Sequence, residues 1–143
     1  MIGERNSVVV HFKDGSLLKG FTHDFVAERP LFHLHVEHGA ETGTIKEVKV
    51  ANLKAVFFVK SYEGDKDYKE KRTFEEVDAK NLHGIKIRVD FKDGEIIRGL
   101  SLGYNKSKKG FFIVPIDPFS NNIRIYVVSD AAARVVVGPA SEQ

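Results

Sequence analysis

Along "IKIRVDF" (85–91) the apolar Ile85, Ile87, Val89 and Phe91 alternate with Lys86, Arg88 and Asp90. A period of two predicts a β-strand with one buried and one wetted face. Val8, Val10 and Phe12 show the same alternation near the start of the chain. Each run leads into "KDG", where Asp-Gly accepts the positive φ of a tight hairpin turn. A second strand follows, "SLLKGF" or "EIIRGL", with a glycine inside it. A lone glycine in a strand signals a bulge or sharp bend. "LFHLHV" or "GFFIVPI" then predicts a third strand, "EVKV" or "IRIYVV" a fourth, and "AVFFV" or "RVVV" a fifth. The short "ANLK" or "SDAA" before the last strand has room for one tight helical turn.

These two series are copies of each other. "HFKDGSLLKGF" (11–21) and "DFKDGEIIRGL" (90–100) lie 79 positions apart. At that offset Phe25 falls on Tyr104, Phe32 on Phe111 and Leu34 on Ile113. After a one-residue gap, "VKVANLKAVFFV" (48–59) lies over "YVVSDAAARVVV" (126–137). A unit of ~50 residues that occurs twice reads as a duplicated small domain, because solenoids need three or more repeats. The expected fold is therefore all-β, a tandem duplication of a five-stranded, strongly bent barrel. The barrels are expected at 6–60 and 85–138, with a charged linker at 61–84. Val8, Val10, Phe12, Phe32 and Leu34 should line the first core, and Ile87, Val89, Phe91, Phe111 and Ile113 the second. In the linker, "DYKEKRTFEEV" reads as a short helix or an extended arm, with a solvated surface.

Val10, Gly15, Gly20 and Phe25, with Val89, Gly94, Gly99 and Tyr104, resemble the skeleton of the first two strands in SH3-like barrels of the Sm-like class. At closer range, "FKDG…KG…FHLH…LKAVFFVK" is similar to a bacterial family of unknown function that carries this domain once or twice. The resemblance implies a bacterial source and brings no activity with it.

Composition narrows the function classes. The chain is 42% hydrophobic and 29% charged, with a formal charge of +2, so it can bury a core and lacks the signature of disorder. No apolar run approaches the ~20 residues of a membrane helix, and the N-terminus shows no secretory signal. There are no cysteines, which removes disulfides, thiolate metal sites and cysteine nucleophiles. A cytoplasmic location is expected. Residues 85–137 carry nine Lys/Arg against five Asp/Glu, and residues 6–60 carry seven against six. That excess lies below the strongly basic balance of a dedicated nucleic-acid domain.

Several residues carry candidate chemistry. His33 and His35, two apart on a strand, share a face and form a weak candidate metal pair, but no spacing supplies further ligands. No metal or other cofactor is expected. Phe112 and Val114 make the third strand of the second repeat apolar on both faces, which predicts a covered surface. Docking of the two barrels is the favoured cover, since each small unit is marginal alone; a homodimer contact is the rival. "YNKSKKGFF" is the nucleic-acid candidate: Lys106, Lys108 and Lys109 could neutralise phosphates while Tyr104 stacks on a base. Against it, "ANLK" and "SDAA" lack the Arg-Gly or Lys-His that the Sm resemblance would imply for RNA contact. No arginine pair matches a cyclic-dinucleotide receptor. No nucleophile elbow, phosphate loop or metal-binding helix is present, so an enzyme is not expected. The leading expectation is a non-catalytic interaction or adaptor protein that binds a protein partner or itself. RNA binding through the basic loop is the alternative.

Overall fold

The computed structural model describes residues 5–77 and 84–142. Ten antiparallel strands form it, five in each repeat. The first five are β1 (Asn6–Phe12), β2 (Leu17–Thr22), β3 (Leu31–Val36), β4 (Ile45–Lys49) and β5 (Leu53–Val59). The second five are β6 (Ile85–Phe91), β7 (Ile96–Ser101), β8 (Gly110–Pro115), β9 (Asn122–Val128) and β10 (Ala132–Val137). Single 3-10 turns at Val50–Asn52 and Ser129–Ala131 precede β5 and β10, where the sequence allows one turn. The Asp-Gly hairpins form with Gly15 and Gly94 at φ of 91° and 97°. Asp14 and Asp93 each accept the amide two residues on.

Two separate barrels are not what the strands build. They make one continuous open sheet in the order β10-β6-β7-β8-β9-β5-β1-β2-β3-β4. Within each repeat the fifth strand pairs with the first and a meander follows. The repeats then join through β5 and β9, with Val56 opposite Tyr126 and Phe57 opposite Ile125. The physical cause lies in these two strands. All seven residues of β5 are buried, and Ile125 to Val128 of β9 are buried as well. A strand apolar on both faces must be covered on both, and pairing β5 with β9 also satisfies two rows of backbone groups that would otherwise form open edges.

The joined strands wall two cores. Val56, Phe58, Tyr126 and Val128 turn to the first, with Val8, Val10, Phe32, Leu34, Val36, Val48 and Leu53; Phe12 packs against it, partly buried. Ala55, Phe57, Val59, Ile125 and Val127 turn to the second, with Ile87, Val89, Phe91, Phe111 and Ile113. β1 is divided likewise: Val8 and Val10 face the first core, Val9 the second. Each repeat thus completes its neighbour's interior.

The glycines inside β2 and β7 have a sharper role than bending. A Cβ on Gly20 would stand 2.0 Å from the His35 carbonyl oxygen, and one on Gly99 2.5 Å from that of Val114. Only glycine lets the third strand cross so closely. The linker is not wholly solvated. A 3-10 turn at Phe74–Glu76 carries a Thr73–Glu76 capping box, and Phe74 is buried under the Lys86 ammonium.

Candidate binding cleft between the repeats

A cleft of about 370 Å³ opens where the two repeats and the linker meet. Its volume falls within the roughly 300–1,000 Å³ of small-ligand sites. The floor is the second-core side of the β1–β5–β9 wall, where Val9, Phe57, Val59 and Ile125 border the cleft. One bank is β2, with Leu17 and Lys19; the other is the start of β7, with Ile96, Ile97 and Arg98. Glu70, Lys71 and Arg72 of the linker close one end.

The two banks are repeat equivalents. At the offset of 79, Leu17 corresponds to Ile96 and Lys19 to Arg98. Leu17 and Ile96 are each 48% exposed, and Lys19 and Arg98 are each half-buried before their crossing glycines. Equivalent positions of the two sequence repeats therefore each bring one cation and one apolar side chain to a shared cleft.

Its charge is uneven. Glu95 bonds Lys54, which reaches across from β5 and also pairs with Asp93 at 2.7 Å. Glu70 accepts the Ser120 hydroxyl. Lys19 donates to the Tyr62 carbonyl at 3.0 Å. Among the described residues, no carboxylate lies within ion-pair distance of Lys19, Lys71, Arg72 or Arg98. Four basic side chains, Lys19, Lys71, Arg72 and Arg98, line the cleft against the carboxylates of Glu70 and Glu95. His11 lies tilted over Phe57 at 4.4 Å between centroids, and burial, with Lys54 nearby, pushes its pKa down. Burial also presses on Lys54, but its bonds to Asp93 and Glu95 win and raise its pKa.

The linker is strapped to the cleft's end by one buried carboxylate. Asp117, 2% exposed, accepts the Tyr68 hydroxyl at 2.6 Å, the Lys71 amide at 2.8 Å and the Phe119 amide at 2.9 Å. Burial alone would raise its pKa, but these donors hold it below the ordinary carboxylate value. The same bond pushes Tyr68 up to about 12.

A family of unknown function, DUF6982, matches residues 4–138. The chain belongs to that family. No curated protein and no solved structure matches this DUF6982 chain. Among the described residues, no helix is long and apolar enough to cross a membrane.

The residues singled out from sequence lie elsewhere in this DUF6982 chain. His33 binds Asp24 at 2.6 Å, which raises its pKa, while His35 stacks on Phe21 at 4.5 Å. No group of three or more potential metal ligands forms among the described residues. Tyr104 turns inward, edge-on to Phe111 at 4.7 Å, and packs on the second core. Lys108 pairs with Glu28 at 3.3 Å, while Lys106 and Lys109 are exposed. Phe112 is partly buried against the first core, 6.2 Å from the Phe25 centroid and beneath the Arg124 guanidinium at 4.7 Å. Val114 is half-buried opposite Leu100. The cleft itself escaped the sequence reading. Its signal was present in the opening repeat, as the cation before the glycine in "LLKGF" and "IIRGL".

Proposed function

We propose that this DUF6982 protein is a non-catalytic interaction module of the bacterial cytoplasm, built of two Sm-like units at 6–60 and 85–138, that binds a protein partner. The strand order within each repeat and the crossing glycines of β2 and β7 support the Sm-like reading. One observation carries the binding reading: equivalent residues of both repeats, Lys19 with Arg98 and Leu17 with Ile96, converge on one cleft. Turn chemistry explains the repeated "KDG", but it does not call for a repeated cation beside a shared apolar floor.

The experiment is a pull-down from a native bacterial lysate, with and without nuclease. A protein partner that survives nuclease supports the module. RNA that falls steeply with salt, and is lost in Lys106→Glu/Lys108→Glu/Lys109→Glu protein, would replace it with RNA binding through the basic loop.

A further inference from the structure

The bent strands that bank the cleft are each paired on one side only over their first two residues; in β2 the Lys19 carbonyl already accepts the Glu37 amide. β3 meets β2 at Gly20 and Phe21 alone, so Leu17 and Leu18 have only β1 beside them. β8 meets β7 from Gly99 onward, so Ile96 and Ile97 have only β6. Two short strand edges, one from each repeat, therefore border the apolar floor. An exposed strand edge takes up an extended peptide through main-chain hydrogen bonds, and neighbouring side chains set its specificity.

The side chains define that specificity. The floor offers Val9, Phe57 and Ile125 to an apolar side chain. Lys19, Lys71, Arg72 and Arg98 surround it, while the carboxylates of Glu70 and Glu95 are engaged by Ser120 and Lys54. A basic or polyvalent cationic segment would meet like charge, whereas an acidic one is complementary. Nucleic acid fits less well, because the cleft's three rings are already engaged, His11 on Phe57 and Tyr62 edge-on to His38, and base stacking needs an open aromatic face.

We infer that the cleft receives an extended acidic segment of the partner protein, with one large apolar side chain on the Phe57–Ile125 floor and flanking carboxylates against Lys19 and Arg98. This rests on the interaction-module reading above and names the chemistry of its site.

Fluorescein-labelled pentapeptides test it by anisotropy: Glu-Glu-Leu-Glu-Glu, Glu-Glu-Gly-Glu-Glu and Lys-Lys-Leu-Lys-Lys, with an oligouridylate alongside. The acidic leucine peptide is expected to bind saturably at one site and weaken with salt. The glycine and lysine peptides should bind at least about tenfold more weakly. Lys19→Glu/Arg98→Glu should remove the binding while the circular dichroism spectrum is retained; if that variant does not fold, Lys19→Gln/Arg98→Gln gives the same comparison. Lys106→Glu/Lys109→Glu should leave it unchanged. Absence of saturable binding, equal binding by the cleft variants, or a preference for oligouridylate would each overturn the inference. A lysate partner captured equally by wild type and Lys19→Glu/Arg98→Glu would leave the module standing and remove it from this cleft. Peptide binding without a lysate partner would do the reverse.

Discussion

β5 and β10 occupy the same place in their repeats, yet their surroundings differ completely. Every residue of β5 is buried, whereas β10 has no fully buried residue. The fourth strands differ in the same way: β9 buries four consecutive residues, while β4 buries Val48 alone. The inner pair meets across the junction, and the outer pair forms the two ends of the sheet. Composition follows position. "LKAVFFV" and "IRIYVV" are the junction strands, while the ends carry Lys46, Glu47 and Lys49 on β4 and Arg134 on β10. Charges on an edge strand discourage the addition of another strand. Of the equivalent fourth and fifth strands, β5 and β9 are wall, while β4 and β10 are edge.

The largest expected break in that comparison is at Phe58, whose counterpart is Val136. Phe58 is 2% exposed and packs with Phe25 and Phe112. Phe58→Ala should cost about 3–5 kcal/mol by denaturant unfolding, against about 1 kcal/mol or less for Val136→Ala.

Gly110 gives the next effect. A Cβ there would lie 2.2 Å from the Tyr126 ring, while the counterpart Leu31 is 37% exposed. Gly110→Ala should therefore cost about 1–3 kcal/mol by overpacking, and Leu31→Ala well under that. Both are read as shifts in melting midpoint.

Lys54 distinguishes the halves more gently. It ties β5 to the β6–β7 turn, and its counterpart Ala132 has no such reach. Lys54→Met should cost about 1 kcal/mol at neutral pH, because Asp93 and Glu95 are half-exposed and keep their water. Lys54 also holds the Asp93 pKa below 3.8, so this contribution is present above that pH and lost as pH falls through the lowered value.

Much of this was legible in the sequence, and the reason for the remainder is physical. Period-two alternation and Asp-Gly turns are local, so all ten strands and the core residues Val8, Val10, Ile87 and Val89 could be read from their own neighbourhoods. The junction could not. Its hydrogen bonds join Ala55 to Val127 across a long stretch of chain, and period two says that both faces of β5 are apolar without saying what covers them. Nor could the packing of the basic loop: "YNKSKK" shows an aromatic beside lysines without showing that Tyr104 packs on the second core.

The smallest effects are pH-dependent and come from the first repeat, where five of the six histidines lie. His11 has its pKa lowered by burial from 6.5, so the unfolded chain takes up its proton first as pH falls. Its contribution is complete above 6.5 and is lost as pH falls through the lowered folded value. His33 runs the other way: Asp24 raises its pKa, so its contribution is complete below 6.5 and lost as pH rises through the raised value. His11→Asn should flatten the acid side of a stability–pH curve, and His33→Asn should lower stability only on the acid side of that raised value. The counterpart of His33 is Phe112, which carries no ionisable group.

The central claim is that the two repeats are one folding unit because they share a wall. Urea unfolding followed by amide NMR signals of β3 in the first repeat and β8 in the second tests it directly. The account predicts that both sets disappear at one urea concentration, and that Phe58→Ala lowers that midpoint equally for β3 and β8. Two separate transitions, or a β8 midpoint unmoved by Phe58→Ala, would contradict it.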